Sequence, residues 1–309
     1  MNIHNKGKQL EATYGWWNSE KIDKWDKKYD DYDIYTMRYL NSRQKKVLKF
    51  VDEIKLKSGA KVLELGYGAG QTALKLGQRG FEVHGLDISN KLCELAKQRC
   101  QKECPEGNFF LRSGNIESKL DYESETFDMI LIVGVLQYLY DPGACLNEVY
   151  RLLKPGGYLI NAQRNYYCLS KFSSCKRLLA TCIQFFLKEK YLTFPSIKSM
   201  LVDSKLGYFF KRFENSKLFN TKFMLQGKPD WKFLVKKNIF SYRILKSLLL
   251  KKGFSFIKAD GAYYYLSEKP ERYEFNLRTD DYLQKLIDQG IAPFLTHRGR
   301  STIILSQKK

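Results

Sequence analysis

The segment VLELGYGAGQT at residues 62–72 is the feature that most restricts the fold of this chain. It begins with residues typical of a buried strand, and glycine then recurs at every second position, at Gly66, Gly68 and Gly70. Glycine permits backbone conformations that a Cβ disfavours, and it lets another group approach the chain closely. The segment therefore predicts a sharp turn from a strand into a helix, where a ligand lies against the backbone.

The residues around this turn alternate between strand and helix patterns. Strands are predicted at 61–66, 81–87, 108–114, 127–133, 158–163, 254–260 and 301–307, and helices at 42–54, 70–79, 90–103, 141–153 and 241–252. Strands that alternate with helices at this spacing are typical of parallel sheets covered on both faces. The predicted class is α/β, with a doubly wound, mostly parallel seven-stranded sheet.

Residues 166–237 interrupt this alternation, with Phe, Tyr, Leu and Lys in helix-like groupings. We predict that this segment is an inserted, mainly helical, basic lid between strands five and six, next to the carboxyl ends of the strands. The chain then divides into an N-terminal covering segment and helix (1–57), a sheet core (58–165), the lid or substrate segment (166–237) and a C-terminal part of the sheet domain (238–309).

The net charge of +20 is concentrated after residue 165. Residues 1–165 carry 25 basic and 22 acidic residues, whereas residues 166–309 carry 28 and 11. Such an excess favours an anionic neighbour, and three interpretations remain open. In the first, the basic face of the lid contacts phosphate or a membrane surface while its aromatic face covers an amphiphilic substrate. In the second, the lid binds along an RNA strand. In the third, it is only a solvated lysine-rich surface.

Neither a membrane span nor a metal centre is predicted. No apolar run approaches the roughly 20 residues that cross a bilayer, and the N-terminus lacks the apolar region of a secretory signal. We therefore expect a cytoplasmic protein, with peripheral contact at a membrane surface as a further prediction. The seven cysteines include no Cys-x-x-Cys pair, and no metal ligands are assigned.

The glycine segment itself distinguishes two kinds of nucleotide cofactor. A dinucleotide fingerprint has the pattern Gly-x-Gly-x-x-Gly, which would place its third glycine at the position of Gln71. Here the third glycine is Gly70, and Glu64 stands two residues before the first. Because like charges repel, this carboxylate disfavours a pyrophosphate and favours a cationic cofactor that carries an amino acid.

Four segments, in order, resemble motifs of the class I, Rossmann-like S-adenosylmethionine (SAM)-dependent methyltransferases. VLELGYGAG resembles the first motif, in which a hydrophobic pair and an acidic residue precede Gly-x-Gly-x-Gly. HGLDIS, FDMILIVGVLQYLYDP and LKPGGYLI resemble those at the second, fourth and fifth strands. The resemblance covers roughly residues 60–165 and implies SAM as the cofactor.

The resemblance also implies which residues hold the methionine and ribose parts of SAM. Glu64 would approach the methionine amino group through Gly66 and the turn. Gly68 and Gly70 would let the backbone approach the methionine and ribose portions. Asp87 would bind both ribose hydroxyls.

Five further residues are implied at the adenine and the sulfonium. Ile88 would lie against the adenine. Many family members have Gly-Asp-Ala where this chain has Gly-Asn-Ile at 114–116, so Asn115 would pair with the adenine amino group through its amide oxygen, beside Ile116. Val133 and Gly134 would supply backbone at the sulfonium end.

A general base is not identified by these patterns. Three residues are candidates: Tyr35, in the segment that the family often folds over the cofactor; Tyr138, where family members often carry His; and His297, before the last predicted strand. A core aromatic is the alternative for Tyr138, and an exposed turn residue is the alternative for His297.

The predicted function is a SAM-dependent methyltransferase that acts on an oxygen or nitrogen atom of a small or lipid-linked metabolite, anionic acceptors included. The family's motifs for methylation of DNA bases and of protein arginine, and its catechol-type metal cluster, are missing. One alternative is an RNA (tRNA or rRNA) methyltransferase. A second is a non-catalytic regulator that binds SAM, and the oligomeric state stays open.

Overall fold

The computed structural model describes residues 6–19, 22, 34–165, 168, 240–264, 273–291 and 293–309. The lid predicted at 166–237 lies outside the described residues, apart from the buried Cys168. In chain order the elements are α1 (Lys6–Trp17), α2 (Ile34–Ile54), β1 (Lys61–Leu65), α3 (Gln71–Gly77), β2 (Glu82–Asp87), α4 (Asn90–Glu103), β3 (Asn108–Ser113), β4 (Phe127–Val133), a short 3-10 helix (Leu136–Tyr138), α5 (Pro142–Leu152), β5 (Leu153–Arg164), α6 (Tyr242–Lys251), β6 (Phe254–Ala262), α7 (Tyr273–Asp288), a second 3-10 helix (Pro293–Arg298) and β7 (Ser301–Lys308).

The seven strands form one sheet in the order β3-β2-β1-β4-β5-β7-β6. The five strands β1 to β5 pair in parallel, and β7 is antiparallel to both of its neighbours. This topology confirms the predicted doubly wound, mostly parallel, seven-stranded sheet.

Both faces of the sheet are buried, as the continuous apolar strand sequences require. Side chains alternate along β4, so that Ile130 and Ile132 belong to the core on one face, whereas Met129 and Leu131 belong to the core on the other. All four side chains are fully buried. The central strands are therefore fixed by packing from both sides, and their ends form a rigid base for a binding site.

Two helix starts follow from capping residues. The Ser89 hydroxyl accepts a hydrogen bond from the Leu92 backbone N–H at the start of α4. The Asp141 carboxylate accepts from the N–H groups of Gly143 and Ala144 at the start of α5. Such side chains satisfy backbone donors that the helix itself leaves unpaired.

Several boundaries differ from the sequence prediction. Helix α2 begins at Ile34, eight residues before the predicted start. Strand β5 begins at Leu153, because the ladder with β4 continues across a register shift between the pairs of Phe127 and Met129. Helix α7 was not predicted, and tertiary contacts hold it: Asp280 accepts hydrogen bonds from the Tyr264 backbone N–H and from the Arg38 side chain.

The strand order reverses between β1 and β4, which are neighbours in the sheet. In open α/β sheets, ligands bind at the carboxyl ends of the strands beside such a reversal. The described helices include none that is both long and apolar enough to cross a membrane.

Candidate functional site

A cavity of about 210 Å³ lies at the carboxyl ends of β1, β2, β4 and β5, beneath α1 and α2. Its walls combine backbone from the strand ends with side chains from the two N-terminal helices. The residues that line it are Leu10, Thr13, Trp17, Tyr39, Leu40, Arg43, Glu64, Gly66, Tyr67, Gly68, Gln71, Thr72, Asp87, Ile88, Asn115, Ile116, Glu117, Val133, Gly134, Val135, Gln137, Tyr138, Leu139 and Arg164. Nine of the ten predicted cofactor-binding residues are among them, and Gly70 is the exception.

Two glycines of the cavity wall leave no room for a side chain. Gly66 has a φ of +75°, and a Cβ there would lie 2.1 Å from the nearest side-chain atom of Val135. Gly134 has a φ of +79°, and a Cβ there would lie 2.7 Å from Nη1 of Arg43. Backbone in this conformation strains any residue with a Cβ, and the close neighbours add a steric reason for glycine.

Gly70 is not among the residues that line the cavity. Its φ is +82°, and a Cβ at this position would lie 2.8 Å from the Cβ of Ala96 on α4. The glycine therefore lets the start of α3 pack closely against α4. This packing accounts for glycine here, and its predicted contact with SAM stays a prediction.

Asp87 ends β2 with its carboxylate held by backbone donors. Oδ2 accepts a hydrogen bond from the Gly68 N–H and Oδ1 accepts one from the Ser89 N–H, both at 2.9 Å. Burial raises the pKa of this carboxyl, and the backbone hydrogen bonds oppose that effect. The glycine turn and the end of β2 are thereby tied together, with an acidic group at the cavity wall.

Glu64 is 2% exposed, and its Oε2 atom has no hydrogen-bond partner among the described residues. Burial, followed by the charge of Asp87, raises the pKa of Glu64 to about 8, while the Arg43 charge and the Ala73 backbone N–H act in the opposite direction. A buried carboxyl oxygen without a partner carries a free-energy cost. A cationic donor in the cavity would remove that cost, and this is the group that the sequence predicted here.

Arg43 lines the same cavity and was not predicted as a site residue. It is 8% exposed on α2, and Nη1 donates to the Tyr39 hydroxyl at 3.4 Å. Arg43 and Glu64 place one cationic and one acidic side chain at the same cavity. Such a pair suits a ligand group that itself carries both an ammonium and a carboxylate.

The predicted adenine-binding residues lie together on another part of the wall. Ile88, Asn115 and Ile116 all line the cavity. The Asn115 side-chain oxygen accepts a hydrogen bond from the Glu117 backbone N–H at 2.9 Å, which fixes the turn after β3. A carbonyl oxygen has two lone pairs, so the oxygen can still accept from a ligand amino group.

Helix α1 covers the cavity and is held by contacts to the sheet domain. Gln9 Nε2 donates to the Tyr138 carbonyl at 3.0 Å, and the Ser89 hydroxyl donates to the Trp17 carbonyl. The Trp17 and Tyr138 rings meet edge to face, with their centroids 5.7 Å apart. These contacts place apolar surface over the site, where it excludes water.

The three candidate bases are placed differently. Tyr138 lines the cavity, and burial raises the pKa of its phenol. His297 is outside the cavity lining, with its ring stacked on Tyr242 at a centroid distance of 3.6 Å, and burial lowers its pKa. Tyr35 lies on α2, but its side chain is outside the described residues. Of the candidates with a described side chain, only Tyr138 lines the cavity together with the residues predicted to bind the cofactor.

The sheet core matches a known family of protein domains. Residues 63–161 match the family model described as "Methyltransferase domain". The chain is 37% identical over 111 residues to the demethylmenaquinone methyltransferase of Lactiplantibacillus plantarum, which covers 35% of this chain and 46% of that protein. It is 31% identical over 99 residues to the tRNA 5-carboxymethoxyuridine methyltransferase of Escherichia coli, which covers 32% of this chain and 38% of that protein.

A third relative is the ubiquinone biosynthesis O-methyltransferase of Alkalilimnicola ehrlichii, 29% identical over 107 residues, or 35% of this chain and 42% of that protein. The chain spans about half the length of the curated relatives it matches. Among solved structures, the magnesium protoporphyrin IX methyltransferase of Synechocystis PCC 6803, determined with bound S-adenosylhomocysteine (SAH), has the same fold. The TM-score is 0.57 at 15% identity, over 97% of this chain and 100% of that one.

Proposed function

This chain belongs to the class I, Rossmann-like SAM-dependent methyltransferases, and we propose that it transfers the methyl group of SAM to an oxygen or nitrogen atom of a small or lipid-linked molecule. The predicted family and the predicted cofactor are confirmed by the matched domain and by the fold. The acceptor, and the role of each site residue, are part of the proposal.

The observation that carries the proposal is the buried carboxyl of Glu64, which lines the cavity together with Arg43 and Asp87. One of its oxygens has no hydrogen-bond partner in the part of the chain that the structure describes. We assign Glu64 to the methionine ammonium and Arg43 to the methionine carboxylate. Asp87 is assigned to the ribose hydroxyls, since a carboxylate has about four lone-pair sites, more than its three backbone donors occupy. When bound, SAM supplies a methyl group on a positively charged sulfur.

The rest of the cavity would align the acceptor and exclude water. Methyl transfer is an in-line displacement, so the chain's main task is to hold the acceptor atom in position in a dry site. Trp17, Tyr39, Tyr138 and Leu139 supply apolar and aromatic surface there. These walls favour a flat, largely apolar molecule, in agreement with the two relatives named for menaquinone and ubiquinone.

A labelling experiment tests this function. The purified chain would be incubated with methyl-radiolabelled SAM and a cell extract that has been separated into lipid, aqueous small-molecule, RNA and protein fractions. We expect label in the lipid or small-molecule fraction. The matched control is Glu64→Gln, because label that enters equally with this variant would come from a contaminating enzyme.

Two other outcomes would change the assignment. Label in the RNA fraction would favour an RNA methyltransferase, which the net charge of +20 and the relative named for tRNA support. Absence of label from every fraction, with SAH binding intact, would favour a non-catalytic regulator. Peripheral membrane contact stays a prediction, because the basic segment at 166–237 lies outside the described residues.

A further inference from the structure

The hydroxyl of Tyr39 lies among donors and cations at the wall of the cavity. Tyr39 is on α2, one turn before Arg43. Its oxygen accepts hydrogen bonds from the Ser301 hydroxyl at 3.0 Å and from Arg43 Nη1 at 3.4 Å. The guanidinium carbons of Arg300 and Arg43 lie 4.7 and 5.3 Å from the centre of the ring. This oxygen is therefore surrounded by groups that stabilise negative charge.

A third arginine, Arg164 at the end of β5, lines the same cavity. Burial acts to raise the pKa of Tyr39, but Arg43, the Ser301 hydrogen bond and the other arginines outweigh it, so the pKa lies below the ordinary value. Among the described residues, the charged and titratable groups that face Tyr39 are Arg43 on α2, Arg164 on β5, Arg300 before β7, Tyr138 on the first 3-10 helix and Tyr263 after β6.

We propose that Tyr39 is a catalytic residue whose phenolate takes the proton from an acidic hydroxyl, phenolic or enolic, of the acceptor as that hydroxyl is methylated. The proposal rests on the methyltransferase function above and names its acceptor class. The acceptor O–H bond breaks, and its proton goes to the Tyr39 oxygen. The freed electron pair forms the new C–O bond, while the bond between methyl carbon and sulfur breaks with both electrons on sulfur. Tyr39 then releases its proton to water.

The acceptor class follows from the match between acid and base. Proton transfer is most efficient when the base is poised near the pH at which the enzyme works and near the acidity of its partner. Phenolic and enolic hydroxyls are the acceptor hydroxyls whose acidity comes closest to that of a tyrosine, which has an ordinary pKa of about 10. The surrounding arginines also favour an acceptor that develops negative charge. Tyr138 shares the wall but suits this role less, because burial raises its pKa.

The ionisation of Tyr39 can be measured without any acceptor. The near-ultraviolet absorbance of tyrosinate would be followed from neutral pH upward in the wild type, in Tyr39→Phe and in Tyr282→Phe. Tyr282 is the matched control, because it is 62% exposed on α7. We expect the wild type to ionise one tyrosine before the others, Tyr39→Phe to lack that step and Tyr282→Phe to keep it. Identical curves for the wild type and Tyr39→Phe would overturn the proposal.

Transfer to simple phenols tests the catalytic role. The panel would run from 4-nitrophenol, which is largely ionised at pH 8, to phenols with the ordinary tyrosine-like pKa of about 10. At pH 8 we expect Tyr39→Phe to lower kcat about 10²- to 10⁴-fold for the weakest acids and less than about tenfold for 4-nitrophenol, which is already ionised. The KM should be unchanged. Equal losses across the panel would show a structural role for Tyr39 and refute the proposal.

SAH binding separates this proposal from the one on which it rests. If the wild type binds SAH but methylates no phenol, the acceptor class is wrong while the methyltransferase assignment stands. If the wild type does not bind SAH, the proposed function itself fails. Tyr39→Phe should bind SAH within about threefold of the wild type, because its ring and its place on α2 are kept.

Discussion

The pKa of Glu64 leads to a specific prediction for the pH dependence of cofactor binding. Burial raises this pKa to about 8, so in the protein without added ligand the carboxyl is mostly protonated at pH 6 to 7. Pairing with a ligand ammonium requires the carboxylate. Binding in this pH range should therefore release one proton from Glu64 for each ligand bound.

The magnitude follows from the distance in pH. At pH 6, two units below the pKa, about one carboxyl in a hundred is ionised, which lowers the apparent affinity about 100-fold, or about 2.7 kcal/mol, relative to the ionised site. The ligand's α-amino group remains protonated up to a pH of about 7.7 to 8.0. The association constant should therefore rise nearly tenfold per pH unit from about pH 6 to 7.5, and level off near pH 8.

SAH is the suitable ligand, because its sulfur is uncharged and the amino-acid end then supplies the only ammonium. Calorimetric titrations at several pH values, each in two buffers of different ionisation enthalpy, give both the affinity and the number of protons released. Glu64→Gln is the control, since the amide keeps the shape of the side chain and cannot release a proton. An affinity that is independent of pH, with no proton released by the wild type, would refute the assignment of Glu64 to the ligand ammonium.

Three further predictions concern stability and the shape of the site. The unfolding free energy of the unliganded wild type, relative to Glu64→Gln, should fall as pH rises from 4.5 to about 8, because in this range only the folded state keeps the proton on Glu64. The pKa difference between the folded and unfolded states corresponds to a fall of up to about 5 kcal/mol, which urea unfolding would measure. Gly66→Ala should weaken SAH binding at least about tenfold, because the new Cβ would collide with the Val135 side chain. Gly59→Ala is the control, since Gly59 also has a positive φ, of +79°, but open space around it. This control should lose about 1–3 kcal/mol of stability from backbone strain alone. Asp141→Ala should lose about 1 kcal/mol of stability, because the variant cannot cap the first backbone N–H groups of α5, and its SAH affinity should be unchanged. A large loss of SAH binding would contradict the assignment of Asp141 to helix capping alone.

The local features of the site were readable from the sequence. The strand before the glycine turn and the acidic end of β2 follow from hydrophobic runs, because residues close in sequence set the strand period and the turn. Glu64 was also predicted from its distance to the turn. Its pKa was not, because that value depends on how completely the finished fold buries the carboxyl.

The surroundings of Tyr39, where we propose that the acceptor binds, could be located only from the tertiary structure. Tyr39 and Ser301 are 262 positions apart in the chain, and their hydrogen bond exists only because α2 packs beside β7. The sequence predicted a helix at 42–54, which includes Arg43 but not Tyr39, and it did not predict the neighbours of either residue. Sequence periodicity thus determined the sheet and the turn, and the resemblance of four segments to methyltransferase motifs implied the cofactor. The convergence of three arginines on one phenol was decided by the packing of elements far apart in the chain, which no local pattern encodes.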